Sequence, residues 1–228
     1  MKIDILTLFP DMFEGPFNES ILRKAQDKSL VEIQIHNLRK WGLDDRRTVD
    51  DRPYGGGPGM ILRVDVIDTA LKNLKTKEHK NSKTILLDAG GKRFTQQKAV
   101  QLSKLEHIIL IAGHYEGVDH RVHEHLVDEV ISIGDYVLTG GEIPVMVIID
   151  SVVRLIPGVI KLESITEESF SQWKMENGKL IPSILNTQDR KIIKAGKFQK
   201  FFFRETTKRL KIGDKLVNNL MPRTKLNS

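Results

Sequence analysis

The sequence predicts an α/β domain, a parallel sheet with helices on both faces, followed by a small basic helical appendage. Three observations carry that prediction. Apolar runs of strand length alternate with helix-patterned segments through residues 1–160, glycines cluster at the ends of three of those runs, and the excess positive charge is gathered at the C-terminal end.

Taken in chain order, Ile3–Phe9 is an apolar run stopped by Pro10 and reads as the first strand. Asn18–Lys28 has helical spacing behind a start signal, and Val31–Asn37 reads as the second strand. From Pro53 to Met60, six of eight residues are glycine or proline. That composition marks a shaped loop, because glycine admits positive φ or close approach and proline freezes the remaining freedom. Val64–Leu74 is helical, Thr84–Asp88 is a strand, and Thr95 caps the helix in "TQQKAVQLSKL". His107–Ala112 and Glu129–Ile133 complete the strands. The segment "EIPVMVIIDSVVRLIPGV" is apolar on nearly every face, has Pro144 in the permitted first turn, and is expected to be a buried helix. Residues 161–175 read as a linker. Residues 176–228 form the appendage, in which Ile192, Ile193, Phe198, Phe201, Phe202 and Leu210 share one face of a basic helix from about Gln188 to Leu210. No internal repeat is present.

The 228 residues include no cysteine, which excludes disulfide scaffolds, cysteine-based zinc modules and thiol nucleophiles, and agrees with a reducing cytosol. The first apolar run is too short for a signal sequence, and the most apolar segment, Ile143–Ile156, is broken by Asp150 and Arg154. The expectation is therefore an unanchored cytoplasmic protein. Asp189–Ser228 holds twelve Lys/Arg against three Asp/Glu, whereas residues 1–188 hold twenty-four against twenty-seven. A basic appendage on a near-neutral body suits a polyanion such as RNA, although a solvated lysine-rich helix has the same composition.

Ligands of an open parallel sheet bind beyond the carboxyl ends of its strands. Three such ends carry unusual loops: "LLDAGG", "IAGHYEGVD" and "SIGDYVLTGGE". None has the spacing of a phosphate loop or a dinucleotide fingerprint. Glu142 and Asp135, around the Gly140-Gly141 helix start, would also compete with a bound phosphate, so a ligand neutral or cationic near its centre fits better. "HYEGVDHRVHEH" packs four histidines and two glutamates into twelve residues, yet with no cysteine and no HExxH it reads as surface histidines on a short helix, not zinc ligands. Arg154 interrupts the apolar helix; it either pairs with Asp150 one turn earlier or grips a substrate oxygen. Glu167 and Glu168 follow the potential cap Ser164, where carboxylates match a helix dipole.

The motifs "RTVDDRPYGGGPGM", "AGHYEGVDHRV", "SIGDYVLTGGEIP" and "IDSVVRLIPGV" occur together and in this order. On them the chain resembles the bacterial tRNA (guanine-N1)-methyltransferases, the TrmD family of the SPOUT class, from Met1 to about Phe170. The resemblance implies a SPOUT-type parallel sheet with a deep trefoil knot made of the three glycine-bearing loops, a small helical C-terminal domain, and a homodimer. It implies that S-adenosylmethionine is held in a bent shape by Leu87, Gly113, Glu116, Ile133, Gly134, Asp135, Tyr136, Val137, Leu138, Gly140, Gly141 and Pro144. The implied reaction is methylation of N1 of the guanosine just 3′ of the tRNA anticodon. Arg154 matches the family's arginine, which stabilises charge growing on O6. Glu168, in "TEESF", stands where the family has its aspartate base, supplied by the partner subunit. The glycine-rich loop would form the rim where the target base enters, with Asp50, Arg52, Tyr54 and Gly59 as substrate-binding residues. No structural metal is implied, and a magnesium requirement would centre on Glu116. After "SF" the sequence departs from the family: the segment ending in Tyr-Thr-Arg-Pro is missing, as are the Ser-Gly-x-His pattern and the Trp-Arg pair. The departure sets a second reading beside the enzyme, a catalytically weakened RNA-binding or ligand-sensing protein on the same scaffold.

Overall fold

The structure is a computed structural model that describes residues 1–53, 55–75 and 81–161, together with the strands at 173–176 and 179–182. The chain divides into two compact units, Met1–Ser171 and Gln172–Ser228.

In the first unit, β1 (Lys2–Thr7), β2 (Glu32–Asn37), β5 (Ser82–Arg93), β6 (His107–Ala112) and β7 (Glu129–Ser132) form one sheet. Its order is β2-β1-β6-β5-β7, and every neighbouring pair is parallel. The segment "HIILIA" of β6 lies at the centre with all six residues buried. That is why it reads as an unbroken apolar run: a parallel strand covered on both faces has no solvent side to mark with polar residues. Alternation along the strands then sorts two cores. Ile3, Ile5, Ile85, Leu87, Ile108 and Leu110 face α2 (Ser20–Asp27), α4 (Gln96–Leu102) and α6 (Glu142–Val153). Leu6, Leu86, Ile109 and Ile111 face α3 (Val64–Leu74) and α5 (His120–His125). A 3-10 turn, Pro10–Phe13, and the single-turn α1 (Glu14–Phe17) join β1 to α2.

In this unit the expected strands and helices are present, with α3 and β6 at the expected bounds and the hydroxyl of Thr95 accepting the Lys98 N–H at 3.3 Å. Three features differ. First, β5 runs well past Asp88 to Arg93; Leu87 and Lys92 both pair with Ile131, so residues 88–91 leave the ladder as a bulge inside one long strand. Second, α6 is not buried all round. Ile143 and Val147 are 46% and 40% exposed and Asp150 is exposed, so one stripe of this apolar helix faces outward. Third, the glycine-rich loop is gripped at its base by two short antiparallel strands, β3 (Asp50–Asp51) and β4 (Ile61–Leu62), too brief to leave a periodic signature.

One polar cluster lies inside the sheet layer. Asp4 is wholly buried, with its two oxygens 2.6 Å from Nε2 of His36 and of His107, and Lys2 Nζ at 3.2 Å. Burial alone would raise this carboxyl, but the bonds to His107, His36 and Lys2 outweigh it and hold Asp4 well below the usual carboxylate range.

The second unit begins with an antiparallel hairpin of β8 (Trp173–Glu176) and β9 (Lys179–Pro182), where the sequence reading carried its linker on to Met175. The expected basic helix lies outside the described residues. Among the described residues, no helix is long and apolar enough to cross a membrane.

Candidate functional site

Because β6, β5 and β7 are adjacent and parallel, their carboxyl ends lie side by side, and the three glycine-bearing segments that leave them meet over one cavity of about 260 Å³. Of the twelve residues expected to hold a cofactor, eleven line this cavity. Asp135 does not line it: its side chain is 84% exposed and is paired with Arg93 at the end of the extended β5, so it anchors the 133–138 segment from outside. The carboxylate at the helix start is therefore Glu142 alone.

The cavity floor depends on a close approach. The Gly141 N–H donates to the Gly113 carbonyl at 2.7 Å, and a Cβ added at Gly141 would lie 2.6 Å from Gly113 N and 2.8 Å from Ala112 Cα. No other residue fits there without moving the end of β6. One residue later, Glu142 is 1% exposed and accepts the Thr7 hydroxyl at 2.9 Å, while Thr7 Oγ1 itself accepts the Phe9 N–H at 2.9 Å. The other Glu142 oxygen is 3.7 Å from Nδ1 of His114, whose ring lies between Phe9 and Tyr115. A buried carboxylate at a helix N-terminus is favoured by the helix dipole and opposes a bound phosphate.

The glycine-rich loop is stitched to the wall. Glu116 N–H donates to the Met60 carbonyl, Leu62 N–H to the Gly117 carbonyl, and Asp119 N–H to the Leu62 carbonyl, each at 3.0 Å. Gly59 has φ +81°, and a Cβ there would stand 2.3 Å from Glu116 Cγ. The loop therefore abuts the rim at Glu116. Gly59, Asp50 and Arg52 do not line the cavity itself; Asp50 is held in β3 opposite Leu62, and Arg52 is exposed. Tyr54 lies outside the described residues.

Several wall residues were not anticipated: Asp88, Ala89, His114, Tyr115, Ser132 and Thr139 among them. They flank anticipated glycines in the sequence, and adjacency was the available signal. Asp88 is the most polar of these. It accepts the Gly90 N–H at 2.7 Å and approaches His123 Nε2 at 3.4 Å.

Arg154 does not line the cavity. It is the partly buried C-cap of α6, and the twelve residues of that helix set it about 18 Å from the glycine pair at the other end. Glu168 lies outside the described residues. Among the described residues no group of three or more His, Cys, Asp or Glu could hold a metal ion, and His120 and Glu124 form an exposed pair one helical turn apart at 3.5 Å.

Comparison with known proteins gives consistent matches. The family described as tRNA (Guanine-1)-methyltransferase TrmD matches residues 1–211. A tRNA (guanine-N(1)-)-methyltransferase of Dictyoglomus turgidum is 56% identical over 174 residues, 76% of this chain and 69% of its own. Enzymes of the same name from Chloroflexus aurantiacus and Bacillus cereus strain AH820 are each 46% identical. The first match covers 81% of this chain and 77% of the relative, the second 92% and 90%.

Proposed function

The chain belongs to the tRNA (guanine-1)-methyltransferase TrmD family, and from that premise we propose that it transfers the methyl group of S-adenosylmethionine to N1 of the guanosine immediately 3′ of the tRNA anticodon, when another guanosine precedes it. The observation that carries the finer reading is the cavity, whose wall holds eleven of the twelve residues expected for the cofactor. Its volume is near the lower end for small-ligand sites, and its floor is bare backbone at Gly113 and Gly141 with the Glu142 carboxylate buried behind. Such a site suits a compact ligand with a cationic centre. When bound, S-adenosylmethionine supplies an electrophilic methyl group on a sulfonium.

The chain's own residues would manage the proton and the charge. Guanine N1 carries a proton at neutral pH, and in this reading the Glu168 carboxylate takes it while the Arg154 guanidinium stabilises the negative charge that grows on O6. Arg154 is about 15 Å along its own helix from Pro144, the last residue of that helix to line the cavity, which supports a homodimer in which it serves the cavity of a second copy. The outward stripe of α6, Ile143 and Val147, together with exposed Phe9 and Met12, offers an apolar face for such a copy. A deep trefoil knot belongs to the same reading, supported by the return of the chain after β7 onto Ala112 and Gly113 through Gly141. Glu116 presents one exposed carboxylate at the rim, which suits a magnesium ion taking its other ligands from RNA phosphate and water. The basic residues 189–228 would hold tRNA electrostatically, and the site of action is the cytoplasm.

The test uses labelled S-adenosylmethionine and two tRNA transcripts that differ in carrying guanosine or adenosine after the anticodon's 3′ guanosine. Label in the guanosine transcript alone is the expected result; tight cofactor binding with no transfer to either would sink the enzymatic reading.

A further inference from the structure

We propose that Asp88 is the acceptor that reads the ribose hydroxyls of the bound nucleoside, an assignment that rests on the S-adenosylmethionine reading above. The bulge between Leu87 and Lys92 lifts Asp88 out of the ladder of β5, the middle one of the three strands that frame the cavity. Its carboxylate is fixed from two sides, by the Gly90 N–H on Oδ1 at 2.7 Å and by His123 Nε2, 3.4 Å from Oδ2. A carboxylate only accepts, so the histidine presents its Nε2–H, which leaves the buried Nδ1 with no partner among the described residues. An arrangement that leaves a buried ring nitrogen unpartnered is unfavourable by itself, which points to a role for the carboxylate it holds.

The other acids on the wall are placed differently from Asp88. Glu142 is buried and takes the Thr7 hydroxyl, and Glu116 sits at the rim against Gly59. Asp88 is one-third exposed and retains lone pairs on both oxygens. Two adjacent oxygens with spare acceptor capacity match two adjacent hydroxyl donors, and an acid beyond a strand end is a recurrent way for open α/β sheets to bind a ribose.

The test is calorimetric binding to the full chain of S-adenosylhomocysteine, its 2′-deoxy and 3′-deoxy forms, and S-adenosylmethionine, using wild type, Asp88→Ala and Asp88→Asn. Loss of a hydrogen bond to a charged acceptor corresponds to a change of about 10- to 100-fold in affinity. Wild type should show that loss toward at least one deoxy ligand. Asp88→Ala should show it toward S-adenosylhomocysteine, with little further loss toward the same deoxy ligand. Asp88→Asn keeps a carbonyl oxygen for the Gly90 N–H, should give an intermediate loss, and carries the same comparison if the alanine variant does not fold. Equal losses toward hydroxyl-bearing and deoxy ligands would overturn the assignment. So would a loss confined to S-adenosylmethionine, because the carboxylate would then be answering the sulfonium charge. If wild type binds none of these ligands, the cofactor reading itself falls and takes this one with it.

Discussion

The Thr7 hydroxyl donates to the Glu142 carboxylate at 2.9 Å, so the end of the first strand is bonded to the start of α6 across 135 residues of sequence. Glu142 is 1% exposed, and its neighbour Gly141 forms the cavity floor. Removing the hydroxyl leaves a buried carboxyl oxygen without its donor. Thr7→Val, close in shape, should destabilise the protein by about 1–3 kcal/mol in urea unfolding, the range for an unsatisfied buried polar group. A change below about 0.5 kcal/mol would mean that another donor serves Glu142.

Gly141→Ala tests the floor. Its new Cβ would meet Gly113 N at 2.6 Å and Ala112 Cα at 2.8 Å, and both contacts are backbone, so relief requires moving the end of β6 or the start of α6. Overpacking of this kind costs about 1–3 kcal/mol, and here the shift acts on the cavity. S-adenosylhomocysteine affinity should fall by at least about tenfold. Unchanged affinity would detach the glycine pair from ligand binding.

Asp4 sets a pH dependence. Its carboxyl lies below the ordinary range in the folded protein, so its contribution to stability is present above the unfolded-state value of about 4 and is lost as pH falls toward the folded value. Unfolding free energy should therefore drop as pH is lowered from about 5 to 3. Asp4→Asn should be less stable than wild type by about 3–5 kcal/mol at neutral pH, as when one partner of a buried ion pair is removed, and should show a shallower acid dependence. Parallel curves for the two proteins would place the acid sensitivity in other groups.

What the sequence made legible follows the range of each signal. The "HIILIA" run of β6 and the Thr95 cap are written in a few adjacent residues and were read directly. The extension of β5 was not, because Asp88–Gly91 looks like a turn until Lys92 is seen to pair again with Ile131 on another strand. Asp135 is among the cofactor residues the resemblance implies, and its ion pair with Arg93, 42 residues earlier, has no local signal in the sequence. The buried Asp4 cluster joins three strands, and no periodicity brings His36, His107 and Asp4 together. The outward stripe of α6 was missed for a different reason: Ile143 and Val147 are as apolar as the buried residues, so composition cannot tell which side is covered by this chain.

Glu168→Gln removes the proposed base while keeping shape. Methyl transfer should fall by about 10²- to 10⁴-fold, the usual contribution of a general base, with S-adenosylhomocysteine affinity unchanged. Preserved turnover would remove Glu168 from the mechanism and leave the N1 proton to another acceptor.

The placement of Arg154 can be tested by mixing two inactive proteins. Arg154→Ala should bind cofactor normally and lose about 10²- to 10³-fold in transfer, as expected when a preorganised charge opposite a developing anion is removed. A Gly141→Val protein should be inactive for the opposite reason, since its cavity floor is blocked while its Arg154 is intact. If each cavity uses the arginine of the second copy, a mixed dimer contains one complete site: the open cavity of the Arg154→Ala chain and the arginine of the Gly141→Val chain. Random reassortment of equal amounts makes half the dimers mixed, each with one site of two, so activity should recover to about a quarter of wild type. If Arg154 serves the cavity of its own chain, no mixed dimer has a complete site. The mixture would then stay as inactive as its components, and a path within one chain across about 15 Å would have to be found.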